Sequence, residues 1–111
     1  MVLLVRGRLH GVEVDASCCG RFHDRMVRQD GGQWCILQRV PVYEKDRLDG
    51  VDPAARLVLD TDTLAQYTEG CRHLTYMQAC NGATIMPDLA VPGSAALQRL
   101  EMESALWLAR A

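Results

Sequence analysis

Residues 12–26 alternate between apolar and polar side chains, the pattern of a β-strand with one hydrophobic face. The even positions are apolar or small with one exception, Asp24, whereas most odd positions are polar or charged. A carboxylate on an apolar face either takes a partner or keeps its proton, because desolvation disfavours its charged form. Both outcomes indicate a binding or acid–base site, and as a general acid or base Asp24 would have a raised pKa.

The first predicted hairpin turns at residues 10–11 (HG), where glycine supplies the positive φ of a type I′ turn. Pairing outward from this turn sets Arg8 opposite Glu13 and Arg6 opposite Asp15, so opposite charges meet on one face. The other face of the same register is apolar and pairs Leu9 with Val12, Val5 with Ala16, and Leu3 with Cys18.

The second predicted hairpin turns at residues 30–32 (DGG), a three-residue loop with a glycine for a bulge position. Counting back from this turn sets Asp24 opposite Gln38, so the two polar residues of an apolar face meet. This pair is either a structural hydrogen bond at an open sheet end or a pocket-lining acid held by an amide. The same count predicts three further pairs on this face: Met26 with Ile36, Phe22 with Val40, and Gly20 with Val42. Trp34 is predicted to lie on this face as well.

The opposite face of the second strand carries a basic strip of Arg21, His23 and Arg25. The register counted from the second turn places Arg39 on the same face, opposite His23. A basic strip can hold an anion, but it is also the ordinary appearance of a solvated sheet face or of one paired with acidic groups. Both interpretations stay open at this point.

The pattern changes after residue 47, since residues 48–53 (LDGVDP) predict a turn at which strand pairing ends. Helical spacing of apolar residues follows a capping box at residues 63–66 (TLAQ), and Gly70 divides that segment in two. Residues 81–82 (NG) predict a helix end, and Ser94 is placed to cap a final helix. Strands followed by helices indicate an α+β fold. We expect one domain over 1–111, with a curved antiparallel three-stranded sheet over 1–47 and a helical C-terminal extension over 48–111.

Composition excludes several classes of function. A length of 111 residues is enough for one domain, and a net charge of −2 gives no support for electrostatic binding to nucleic acid. The apolar start at residues 1–5 is too short for a signal peptide or a membrane span. The five cysteines are odd in number and lack metal-ligand spacing, which indicates a reducing cytoplasm and no metal site.

Five segments of the chain resemble SnoaL-like proteins of the nuclear transport factor 2-like superfamily, whose members are curved α+β cones. They are residues 20–25 (GRFHDR), 30–36 (DGGQWCI), 39–47 (RVPVYEKDR), 69–78 (EGCRHLTYMQ) and 105–109 (ALWLA). The last two look like the C-terminal extension of one SnoaL-like branch. Members of the superfamily include dehydratases, a dehydrochlorinase, polyketide cyclases and steroid isomerases.

The resemblance implies a pocket on the concave sheet face and chemistry that needs no metal or organic cofactor. Asp24 takes the position of a pocket histidine of scytalone dehydratase, and Asp46 looks similar to a polar pocket residue on the last strand. The implied site has Asp24 as the catalytic acid or base, Gln38 as its orienting partner, and His73 or Tyr43 as outside contributors. The implied binding residues, besides Gln38, are Phe22, Met26, Trp34, Ile36, Val40 and Asp46.

The sequence departs from the family pattern at its N-terminus, because family members carry further catalytic residues on helices and a strand that precede the matched region. We therefore expect a partial or reduced member of a cofactor-independent dehydratase or isomerase family that acts on small hydrophobic ring compounds. The alternative is a non-catalytic module for small-molecule binding or for oligomerisation. The apolar face of the predicted sheet is large, and monomers rarely expose such a patch. Since family members are also commonly dimers, we expect a homo-oligomer.

Overall fold

The computed structural model describes residues 1–110, and Ala111, the last residue of the expected helical extension, lies outside them. The three strands form one antiparallel sheet in the order β1-β2-β3, and three helices follow. This arrangement confirms the expected α+β fold. The elements are β1 (Val2–Leu9), β2 (Val12–Arg28), β3 (Trp34–Gly50), α1 (Thr61–Ala65), α2 (Arg72–Cys80) and α3 (Ala95–Ala109).

The first hairpin has the predicted register. Arg8 pairs with Glu13 and Arg6 with Asp15, and the Arg6 guanidinium donates a hydrogen bond of 2.9 Å to the Asp15 carboxylate. The turn residues 10 and 11 have φ angles of 51° and 78°, as a type I′ turn requires. Cross-strand charge pairing and apolar burial agree here, so one register satisfies both faces.

The second hairpin follows the prediction only near its turn, where Met26 pairs with Ile36. A β-bulge next to that pair inserts Leu37 as an extra residue of β3, so Asp24 faces Arg39 and Gln38 faces Arg25. The expected pairing of Asp24 with Gln38 is therefore wrong. Three other expected pairs are wrong for the same reason: Phe22 pairs with Pro41, His23 with Val40, and Gly20 with Tyr43.

The sheet ends at Gly50, which pairs with Val14, and not at residue 47 as expected. Strand β3 continues for three residues into the predicted turn, because residues near the start of β2 still offer hydrogen-bonding partners. Val51 continues the contact by donating its backbone N–H to the Glu13 carbonyl at 2.9 Å. The chain then turns around Asp52, whose carbonyl accepts from Ala55.

The helices begin and end mostly where the sequence predicts. Gly70, with a φ of 102°, lies between α1 and α2, and Asn81 caps the end of α2. The Ser94 hydroxyl accepts a hydrogen bond from the first turn of α3, as expected. The prediction of a capping box that starts at Thr63 is wrong. Asp60, three residues earlier, is the N-cap of α1 and caps it with its carboxylate.

The helices cover opposite faces of the sheet at opposite ends. Near β1, helices α1 and α2 pack on the face that carries Val14, Ala16 and Cys18, all almost fully buried. Far from β1, α3 packs on the other face, against Val40 and Val42. There β2 and β3 form a two-stranded ribbon, and much of its second side is exposed within residues 1–110. We call this side the ribbon face; it consists of Phe22, Asp24, Met26, Trp34, Ile36 and Arg39.

Candidate functional site

The candidate site is a cleft of about 340 Å³ in which the C-terminal half of α3 meets residues from both sides of the ribbon. Beyond Gly20, β2 has no β1 partner among the described residues, so its edge is open there. The volume lies at the lower end of the range for small-molecule sites. The cleft is lined by His23, Asp24, Arg25, Met26 and Trp34 from the ribbon, and by Ser104, Trp107 and Leu108 from α3.

Helix α3 is positioned against the ribbon by a short buried stripe. Leu97 and Leu100 are buried against Val42, and Ser104 follows on the same side of the helix with 8 % of its surface exposed. A polar residue on a buried stripe needs a hydrogen-bonding partner, since an unpaired buried hydroxyl is costly. Trp107 lies one turn beyond Ser104 and extends the contact into the cleft.

Two ribbon side chains provide the partners of Ser104. The Ser104 hydroxyl lies 2.8 Å from Nε2 of His23 and accepts a hydrogen bond of 3.0 Å from Nε of Arg25. His23 and Arg25 are two residues apart on β2, so both point toward α3. This cluster fixes the depth of the helix on the ribbon and forms the polar wall of the cleft.

Acidic residues of α3 pair with the basic strip of β2. A carboxylate oxygen of Glu103 lies 3.6 Å from Nη2 of Arg25, and one of Glu101 lies 4.0 Å from Arg21. Of the two interpretations of the strip, pairing with acidic groups is the one observed for these arginines. Arg39 does not belong to the strip, because the bulge places it on the ribbon face.

Asp24 makes a bidentate ion pair with Arg39, in which Nε and Nη2 each donate a hydrogen bond of 2.9 Å. The Arg39 guanidinium also lies over the Phe22 ring, 4.2 Å from its centroid. The hydrogen bonds from Arg39 hold the pKa of Asp24 below its usual value and outweigh partial desolvation. The expected raised pKa is therefore wrong, and the carboxylate is ionised at neutral pH.

Replacing Asp24 with asparagine should change how stability depends on pH. Because the folded-state pKa of Asp24 is lowered, its contribution is present above the unfolded pKa of about 3.9 and is lost as pH falls through the folded value. Urea unfolding should therefore show wild-type protein as the more stable at pH 7, with the difference shrinking at pH 3. The matched control is Asp30→Asn, in the turn. A difference between wild type and Asp24→Asn that is equal at both pH values would contradict this account.

The structure brings together three of the predicted site residues, Asp24, Met26 and Trp34, which all line the cleft. The other predicted binding residues lie outside its lining. Phe22 and Ile36 are on the ribbon face, Val40 packs beneath α3, Gln38 is exposed opposite Arg25, and Asp46 is covered by α2.

Asp46 acts as a tertiary cap of α2. Its side chain is only 3 % exposed, and it accepts hydrogen bonds of 2.9 Å from Nδ1 of His73 and 2.8 Å from the backbone N–H of Leu74. The residue before the helix, Cys71, supplies no side-chain cap, so the carboxylate from β3 takes that role. This arrangement places Asp46 and His73 together in a contact that stabilises the helix, away from the cleft lining.

The buried thiols near Asp46 are weak nucleophiles. Burial raises the pKa of Cys18 to about 11, and the Asp46 carboxylate adds to this effect. Burial also raises the pKa of Cys71. Since the thiolate is the reactive form, neither residue is suited to covalent catalysis at neutral pH.

Sequence reasoning missed Ser104 and Trp107 as site residues and assigned His23 and Arg25 only to a basic strip. One signal was available: Ser104 is the single polar residue in the apolar stripe of the final helix. A second was the spacing of His23 and Arg25, which places two hydrogen-bonding side chains on one face of a strand.

Within residues 1–110, no group of three or more His, Cys, Asp or Glu side chains is arranged to hold a metal ion. No helix in the same part of the chain is long and apolar enough to cross a membrane. Comparison with known proteins found no protein-family model that matches this chain, and no curated protein that matches it.

Proposed function

We propose that this protein is a SnoaL-like domain protein that binds a small hydrophobic ring compound in the cleft between the ribbon and α3. The observation that carries the proposal is that the chain has two tryptophans, Trp34 and Trp107, and both line this cleft. Indole rings offer flat apolar surfaces for stacking against a ring, and Met26 and Leu108 add flexible apolar contact. The polar groups of His23, Arg25 and Ser104 lie on one wall and can orient a ligand.

Binding without turnover is the form of this proposal that the geometry favours over a lyase or isomerase. An elimination or isomerisation needs a group that removes or delivers a proton. Asp24 is ionised and both of its oxygens are engaged by Arg39, while Nε2 of His23 is engaged by Ser104. The five cysteines are free thiols, which supports the proposal that the protein works in a reducing cytoplasm.

The proposal is tested by titrating the protein with decahydro-2-naphthol, a bicyclic alcohol that does not absorb where tryptophan is excited. Because both tryptophans line the cleft, binding should change the tryptophan emission in a saturable way. Trp107→Ala should weaken binding by about tenfold through the loss of a stacking surface. The control is Leu106→Ala, an exposed residue of the same helix that does not line the cleft. Emission that does not saturate, or equal affinity of Trp107→Ala and wild type, would contradict the proposal.

Self-association is a second candidate function, favoured by the exposed ribbon face. Phe22, Met26 and Ile36 are each nearly half exposed there, and monomers rarely leave such apolar side chains together on one uncovered face. The occupant we propose is a second copy of the chain. The face carries both Asp24 and Arg39, so a copy related by a twofold axis can set opposite charges against each other.

Substituting serine for both Phe22 and Ile36 should shift a dimer toward monomer in sedimentation equilibrium, because the substitutions remove apolar area from the proposed interface. The matched control is Leu4→Ser, which replaces a residue 64 % exposed on the other side of the sheet. Self-association fails as a function if the wild type is monomeric at all concentrations. It also fails if the double variant and the control dissociate alike.

A further inference from the structure

A second cavity lies where α3 meets β3 and residues 86–90. Its volume is about 380 Å³, within the range of small-molecule sites, and it shares no lining residue with the cleft. Two of its lining residues, Ala90 and Leu100, belong to the buried cluster around Val42, so this wall is firmly packed. Met86 also lines the second cavity but is 72 % exposed, so its side chain does not fill the space. The second cavity therefore has room for an apolar group from outside the chain.

Charged side chains line the same cavity, and two of them form no ion pair within residues 1–110. These two are Asp88 and Arg99. The third, Glu103, lies 3.6 Å from Nη2 of Arg25 and is already paired with the basic strip. An unpaired anion and an unpaired cation beside an apolar cavity are complementary to a ligand that carries both charges next to an apolar group.

Asp88 has a backbone conformation that is costly for a residue with a side chain. Its φ angle is 56°, in the left-handed region. The segment that carries it is held against β3 by a hydrogen bond of 3.2 Å from the backbone N–H of Tyr43 to the carbonyl of Ala90. Glycine would adopt this conformation at no steric cost, so the aspartate is better explained by what its carboxylate binds than by what the backbone needs.

We propose that the second cavity binds a free α-amino acid with an apolar side chain. Arg99 binds the carboxylate of the ligand, Asp88 binds its ammonium group, and the apolar side chain lies against Leu89 and Leu100. A guanidinium can donate two parallel hydrogen bonds to a carboxylate, which suits Arg99 to its role. This site is separate from the cleft of the proposed function, and neither depends on the other, because they share no lining residue.

Three compounds with one phenylethyl frame test the proposal: L-phenylalanine, phenethylamine, which lacks the carboxylate, and 3-phenylpropanoate, which lacks the ammonium group. In calorimetric titrations at pH 7, wild-type protein should bind phenylalanine at least about fivefold more tightly than either analogue. In NMR spectra, phenylalanine should shift the amide resonances of Leu89 and Ala96, whereas the indole resonances of Trp34 and Trp107 should stay in place. No saturable binding of phenylalanine, equal affinity for the three compounds, or shifts centred on the indoles would overturn the amino-acid site and leave the proposed function standing.

Two variants should each remove the preference over one analogue only. Arg99→Met should bind phenylalanine and phenethylamine equally, and Asp88→Asn should bind phenylalanine and 3-phenylpropanoate equally. Asparagine tolerates the left-handed region as aspartate does, so urea unfolding of Asp88→Asn should match that of wild type. The control Arg110→Met changes the arginine at the C-cap of α3, outside the cavity lining, and should keep both preferences. Unchanged preferences in Arg99→Met or in Asp88→Asn would also overturn the proposal, since a merely structural role cannot produce these two separate losses.

Discussion

Replacing Gly20 with alanine should lower the free energy of unfolding by about 3 kcal/mol or more. A Cβ atom built at Gly20 collides with the carbonyl oxygen of Val42 and lies 3.2 Å from the Cα atom of Tyr43. Both obstacles are backbone atoms of β3, so the clash cannot be relieved by turning a side chain. Gly20 adjoins a second β-bulge, at which β3 inserts Glu44 as an extra residue, and alanine would force the two strands apart there.

The control for this change is Gly7→Ala, which also places alanine at a strand glycine. At Gly7 the added Cβ meets Sδ of Met77 at 3.2 Å, the flexible end of a side chain that can move aside. Urea unfolding should therefore show a loss of less than about 1 kcal/mol for Gly7→Ala. Equal losses for the two variants would mean that the strands do not approach as closely at Gly20 as the structure shows.

Replacing Asp46 with alanine should lower the free energy of unfolding by about 3 kcal/mol, the second large effect that the structure predicts. The change leaves the N-terminus of α2 without its cap and removes the partner of His73, and it does so at a side chain that is 3 % exposed. Amide hydrogen exchange should show the first turn of α2 losing protection before the sheet does.

Asp49→Ala is the matched control for Asp46→Ala. Asp49 is on the same strand and pairs with Arg47, but its side chain is 47 % exposed, so its ion pair should contribute no more than about 1 kcal/mol. A similar loss of stability in both variants, or unchanged exchange in the first turn of α2, would rule out the capping role of Asp46.

Much of the fold could be predicted because local signals agree with each other. In the first hairpin, the turn residues, the facing charges and the apolar partners all support one register, and the structure has that register. The second hairpin offered a local signal that was easy to misread. Ile36 and Leu37 are adjacent apolar residues, and a strict alternation cannot place both on one face; the bulge resolves this by taking Leu37 out of the pairing.

The candidate site could be predicted only in part, because its two walls come from distant parts of the chain. The ribbon residues Asp24 and Trp34 were accessible from strand alternation. The other wall depends on where α3 packs, and the hydrogen bond between His23 and Ser104 joins residues 81 positions apart in the sequence. The one-residue shift at the bulge then changed the partner of Asp24 from an amide to a guanidinium, which reversed the direction of its pKa shift.

The most direct test of the cleft as a binding site is the pair of indole N–H resonances in a proton–nitrogen NMR spectrum. Trp34 and Trp107 come from different elements and share only the cleft, so a ring compound bound there must affect both. On titration with decahydro-2-naphthol, both resonances should shift and saturate with one dissociation constant, whereas amides of β1 and α2 should stay in place. If the indole signals do not move, or if the shifts centre on β1 and α2, the cleft is not the binding site.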